Sequence, residues 1–219
     1  MALELDHAFI CCSFGAPEAD ALVGLGFREG TANTHPGQGT ANRRFFFDNA
    51  YLEFVWASSQ TEALSEQTRR TGLWERCAQQ ASGANPFGVV FRPSGGQAEN
   101  PPFVTWSYRP GYLPPGLAIE FAEGVPLREP ALVYLPFAHR KGPPAHEPTD
   151  HPRHFRTIGG MTLGLPKLDN LSASSRAAFD AGLVAYVRAA KPVLEVTFLA
   201  DEKKCWISGR RFRCSSGRW

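Results

Sequence analysis

At 219 residues, with a hydrophobic fraction of 43% and a charged fraction of 20%, the chain has the size and composition of one folded domain or two small fused modules, not of a disordered or fibrous polymer. A formal net charge of +2 is too small to imply a polyanionic partner. No run approaches the ~20 apolar residues that a membrane-spanning helix needs, and the opening MALELDHAFICC is acidic where a secretory signal would be basic, so no membrane partner and a cytoplasmic location are expected.

LDHAFICC, Leu5 to Cys12, alternates as a strand with His7, Phe9 and Cys11 on one face and Ala8, Ile10 and Cys12 on the other. Ala16 to Leu25 predicts a helix, with Pro17 in its first turn, Glu18 and Asp20 suiting the dipole, and Gly26 as a stop. Phe27 to Gly30 reads as a short strand. In the following TANTHPGQGT, Pro36, Gly37 and Gly39 argue against a regular element. ANRRFFFDN and AYLEFVWAS form a hairpin around Asp48-Asn49-Ala50.

Thr61 to Gln80 has helical spacing, and Ser82 to Pro86 ends it. FGVVF, VTWSY, LAIEF and ALVYLPF are strand candidates. Most of the eighteen prolines lie between Pro93 and Pro166, so these strands must be short, peripheral or joined by irregular loops. TIGGMTLGL predicts a strand, Ser172 to Ala190 a helix, VLEVTFLA a strand, and CWIS with RRFRC a closing hairpin around Ser208 and Gly209. The basic tail, Lys203 to Arg218, resembles a solvated terminus, and nucleic acid is not an expected partner.

The five cysteines are odd in number and irregularly spaced, as reduced structural thiols would be. His139, His146, His151 and His154 match no metal-binding spacing; a solvated loop or a binding lid both fit them. There is no GxSxG or papain-like cysteine context for nucleophilic catalysis.

Taken in order, LDHAFI, LGF after the first helix, HPGQGTAN and YLEFVW resemble the vicinal oxygen chelate superfamily, and within it the glyoxalase-like domain proteins. The resemblance implies an α+β fold in which two βαβββ modules, of the glyoxalase and bleomycin-resistance kind, pair into a cupped mixed sheet. It divides the chain into a first module (1–60), a helical connector (61–85) and a divergent second module (86–219) with Pro-rich loops and a C-terminal βαββ segment. Its members include metal-assisted lyases, isomerases, epimerases, dioxygenases and thiol transferases, as well as metal-free drug-binding proteins.

For the metal-assisted members the resemblance implies a divalent ion (Zn, Ni, Mn or Fe) inside the cup, held by His7 and Glu53. Outside the family's pattern, Glu120 in LAIEF and His139 at the end of ALVYLPFAH are the second-half candidates to complete a site by a different route, His139 as a ligand and Glu120, like Glu53, as the group that moves a proton. TIGGMTLGL resembles a returning first strand, but it offers Gly159 and Gly160 where a second histidine would stand. For binding of a small molecule, the candidates are His35, Gly37, Gly39, Thr40 and Asn42 in the glycine-rich loop and its flank, with Tyr51 and Trp106 as aromatic walls. Two-module chains of this kind close a cup within one subunit or as a homodimer.

A carboxylate in YLEFV is costly to bury alone, so Glu53 needs a partner. Three remain open from the residues: a metal, a polar ligand, or a cross-strand pair with Arg43 or Arg44.

Overall fold

The computed structural model describes residues 3–78, 83–95, 100–139, 146–152 and 155–199, together with the backbone of two strands at 204–208 and 211–214. Strand β1 (Leu3–Cys11) is followed by a 3-10 turn at Pro17–Ala19 running into α1 (Asp20–Gly24). Next come β2 (Asn33–His35), β3 (Thr40–Phe46) and β4 (Tyr51–Ala57). The connector holds α2 (Gln60–Ala63), a 3-10 turn at Arg69–Thr71 and α3 (Leu73–Ala78) in place of one continuous helix, because Gly72 takes a positive φ of 68° and breaks the path.

Four short strands follow: β5 (Phe87–Pro93), β6 (Thr105–Tyr108), β7 (Ile119–Ala122) and β8 (Ala131–Tyr134). Among the described residues they join the first four in an eight-stranded sheet of order β2-β3-β4-β1-β5-β8-β7-β6. The order is a mirrored repeat. β1 lies parallel to β4 and β4 antiparallel to β3; β5 lies parallel to β8 and β8 antiparallel to β7. The two halves meet where β1 and β5 run antiparallel.

The strand that answers β1 is therefore β5, and not TIGGMTLGL. The latter is β9 (Ile158–Leu165), in a separate five-stranded sheet with α4 (Ala173–Asp180), β10 (Ala185–Arg188), β11 (Val193–Phe198), β12 (Lys204–Ser208) and β13 (Arg211–Cys214). The expected closing hairpin is present as β12 and β13. The expected helix from Ser172 stops at Asp180, since Gly182 adopts φ 69° and the next residues pair in parallel with β9. The predicted strand at Phe27–Gly30 is irregular; the strand forms instead at β2, inside the loop expected to lack one, where Asn33 to His35 pair with Thr40 to Asn42.

The alternation of β1 decides where each layer sits. Ala8, Ile10 and Cys12 join Phe45, Leu52, Phe54 and Phe91 on the convex face, in one apolar cluster with Leu22 of α1 and with Leu163, Leu194, Val196 and Phe198 of the second sheet. Phe9, Cys11, Val55, Val90 and Val133 line the concave face, where Leu73 and Cys77 of α3 cover one end. His151 belongs to the convex packing: its imidazole bonds the Phe46 carbonyl and the Arg28 amide. Cys11, Cys12 and Cys77 are buried. His154 and the side chains of the basic tail lie outside the described residues.

Candidate functional site

Register shifts between Leu5 and His7 where β1 pairs with β5, so Asp6 is a bulged residue. The extra residue turns two consecutive side chains toward each other: His7 Nδ1 donates to Asp6 Oδ1 at 2.7 Å. Asp6 is held from behind by Arg92, whose guanidinium also reaches Glu4 and the Asn49 carbonyl. His7 stacks on Tyr51, its direct neighbour on β4, with ring centroids 4.3 Å apart.

Glu53 lies two residues further along β4, on the same face. Its Oε2 is 3.3 Å from His7 Nε2, and its Oε1 accepts from Asn42 Nδ2 at 2.5 Å. Both His7 and Glu53 are 8% exposed. Burial opposes the imidazolium, but the hydrogen bonds to Asp6 and Glu53 outweigh it and raise the His7 pKa to about 9. Burial likewise opposes the carboxylate, yet the bond from His7 and its charge hold Glu53 down at about 2. At neutral pH this is an ionised carboxylate against an imidazolium whose two N–H groups are both engaged.

Neither arginine of β3 serves Glu53. Arg43 points away to Glu29 and Asp20, while Arg44 bonds the Thr31 carbonyl and lies over Phe46. The charge partner is the histidine of the neighbouring strand.

The glycine-rich loop supplies the second polar group. Gly39 has φ 71°, and a Cβ there would overlap the Ser59 carbonyl; its own carbonyl accepts from the Ser58 and Ser59 amides. Gly37 donates its N–H to Glu62 and accepts from Thr68, so both glycines fold the loop and face away from the cup. Tyr112 donates to Gln38 Oε1, Gln38 Nε2 donates to Thr40 Oγ1, and Thr40 meets His35 Nδ1 at 2.9 Å. Burial lowers the His35 pKa. Thr40 Oγ1 has two acceptor lone pairs besides its proton, so either Thr40 or His35 Nδ1 can be the donor between them, and the free Nε2 carries the N–H when Thr40 donates.

These groups edge a cavity of about 220 Å³ on the concave sheet. His7, His35, Gln38, Tyr51 and Glu53 give it one polar wall; Val90, Ile119, Phe121, Val133, Leu135 and Phe137 give it an apolar one. Gly88, opposite Phe9, makes room for the Phe9 ring, which a Cβ would overlap. Thr40 and Asn42 stand behind His35 and Glu53 and orient them.

Besides Gly37 and Gly39, three more expected residues are not brought here. Glu120 alternates with Ile119 and Phe121, so it faces the other way and accepts from Ser107 at an exposed edge. His139 is exposed beyond β8. Trp106 lies over Phe121 and under Arg70, beside a different depression. Sequence reading in turn missed Asp6, Arg92, Gln38 and Tyr112; the first two follow from a bulge that alternation alone does not reveal.

The repeat allows a direct test of the donor set for a metal. His7 pairs with Tyr51 in β4 and, across the sheet, with Val90 of β5; Val90 pairs with Val133 in β8. Leu135 follows Val133 by two residues, as Glu53 follows Tyr51. The counterparts of His7 and Glu53 are thus Val90 and Leu135, neither of which can coordinate an ion. Among the described residues no three His, Cys, Asp or Glu side chains converge to hold one. The residues present do not fit a metal centre of three or four protein ligands.

Two modules of like strand plan share one cupped sheet, and the cavity is lined from both. The chain matches the family model of the glyoxalase-like domain over residues 5–179. It belongs to that family and through it to the vicinal oxygen chelate superfamily. No curated protein matches it. Among solved structures, a hypothetical protein from Staphylococcus aureus aligns with 95% of this chain and 86% of its own at 10% identity, with a TM-score of 0.44, too remote to inform function. No helix among the described residues is long and apolar enough to cross a membrane.

Proposed function

We propose that the protein binds a small, largely apolar or aromatic molecule in the cup, anchoring it through Glu53 and His35 without a metal ion. The observation that carries this reading is the pairing of His7 with Glu53 opposite Val90 and Leu135, which gives the cavity one ionised wall and one hydrocarbon wall. Proton transfer is poorly served at neutral pH, because Glu53, held near 2, is a weak base and His7, near 9, is already protonated. Holding and orienting a ligand suits these groups better than driving a reaction.

The test is a small-molecule library screened by thermal shift on chelator-treated protein, in parallel with Leu135→Trp, which fills the cavity. Stabilisation of the wild type that disappears in the variant supports the reading. Hits that survive in Leu135→Trp, or that require added metal, contradict it.

A further inference from the structure

The donors and acceptors around the cavity are unequally spent. His7 uses Nδ1 on Asp6 and Nε2 on Glu53. Arg92 is committed to Glu4, Asp6 and the Asn49 carbonyl. Gln38 gives its amide to Thr40 and its oxygen to Tyr112. No lysine or arginine is among the lining residues. Of the lining side chains, what is left to donate is neutral and sparse: the second Nε2 hydrogen of Gln38, and His35 Nε2 when the ring carries its proton there.

Acceptors are better supplied. Glu53 has about four lone-pair sites, and its two bonds, to His7 and Asn42, leave the others for a group in the cavity. The cavity is also lined by the rings of Phe9, Tyr51, Phe121 and Phe137, apolar bodies that suit an aromatic ligand. An incoming carboxylate or phosphate would meet an ionised carboxylate, apolar rings and no cationic donor with a hydrogen left to give. An amine or hydroxyl would meet a buried acceptor with lone pairs to spare.

Resting on the pocket reading above, we infer that the ligand is an aromatic molecule that presents a hydrogen-bond donor, an ammonium or hydroxyl group, to Glu53, and that molecules headed by carboxylate or phosphate are rejected. His35 Nε2 is placed to meet a second polar group elsewhere on the same ligand, and this fixes its orientation.

Three probes with one apolar body separate the possibilities: 2-phenylethylamine, 2-phenylethanol and 3-phenylpropionate, titrated by ligand-observed NMR into the full chain at pH 7. The ammonium and alcohol are expected to bind more tightly than the carboxylate by at least about tenfold, the scale of one charge-assisted hydrogen bond. Glu53→Gln should narrow that gap, and Leu135→Trp should abolish binding of all three. Equal binding of the three, or preference for the carboxylate, with loss in Leu135→Trp, overturns the donor rule while the pocket reading stands. No binding to folded wild type by any probe, or binding indifferent to Leu135→Trp, counts against both. A gap unchanged in a folded Glu53→Gln variant also overturns the rule.

Discussion

The two halves of the cup share one strand plan but differ in what they place inside it. At related positions the first half carries His7 and Glu53 and the second Val90 and Leu135. The charges of the first half are stabilised by a relay that crosses the seam, from Glu4 through Arg92 of β5 to Asp6, His7, Glu53 and Asn42. The second half has no such relay at Val90, Val133 and Leu135. A cupped sheet does not by itself make a metal site; the donors must come from both halves.

Breaking the polar half should give the largest effect. His7→Leu leaves Glu53 buried without its ion partner, and about 3–5 kcal/mol of unfolding free energy should be lost at pH 7 by urea denaturation. His7→Val with Glu53→Leu, which copies the second half, should recover at least about 2 kcal/mol of that loss; no recovery would mean that the pair is not the source of the cost.

The reverse change sharpens the same comparison. Val90→His with Leu135→Glu places a His and a Glu in each half of the cup, and this variant should gain stoichiometric zinc or nickel in equilibrium dialysis, with none expected in the wild type. Failure of a folded variant to gain metal would show that the register assigned to the two halves is incorrect.

A smaller effect follows from protonation. The His7 pKa rises from 6.5 to about 9 on folding, so its contribution is complete below 6.5 and declines as pH climbs through 9. Glu53 falls from 4.5 to about 2, so its contribution is complete above 4.5 and is lost as pH drops toward 2. The pair therefore contributes most between pH 4.5 and 6.5. The stability difference between wild type and the His7→Val, Glu53→Leu double variant should shrink on either side of that window. A flat difference from pH 5 to 10 would contradict the ion pair. The smallest effect belongs to Glu120→Gln and His139→Ala, which should shift stability by less than about 0.5 kcal/mol and leave ligand binding unchanged.

Much of the first half was legible in the sequence because its signals are local. Alternation fixed the faces of β1, Asp48-Asn49-Ala50 announced the hairpin, and the ordered motifs placed His7 and Glu53 in one cup. The partner of Glu53 was less legible, because Arg44 is its neighbour across the hairpin in sequence and in register, whereas His7 comes from a strand more than forty residues away. The second half was hidden for a different reason: β5 reaches β6 without an intervening helix among the described residues, so the strand-helix-strand pattern that marks a module appears only later, at β9. That later pattern builds a separate sheet against the convex face. Asp6 escaped notice because a bulge depends on the pairing of β1 with β5 and leaves no mark on the alternation itself.

A cup that works without a metal ion is tested most directly by native mass spectrometry of the full chain, incubated in turn with Zn, Ni, Mn and Fe(II), beside His7→Ala and Glu53→Gln. No stoichiometric ion is expected in any sample, with unaltered capture of aromatic donor ligands by the chelator-treated wild type. One ion per wild-type chain, lost in both variants, would contradict it and make His7 and Glu53 metal ligands.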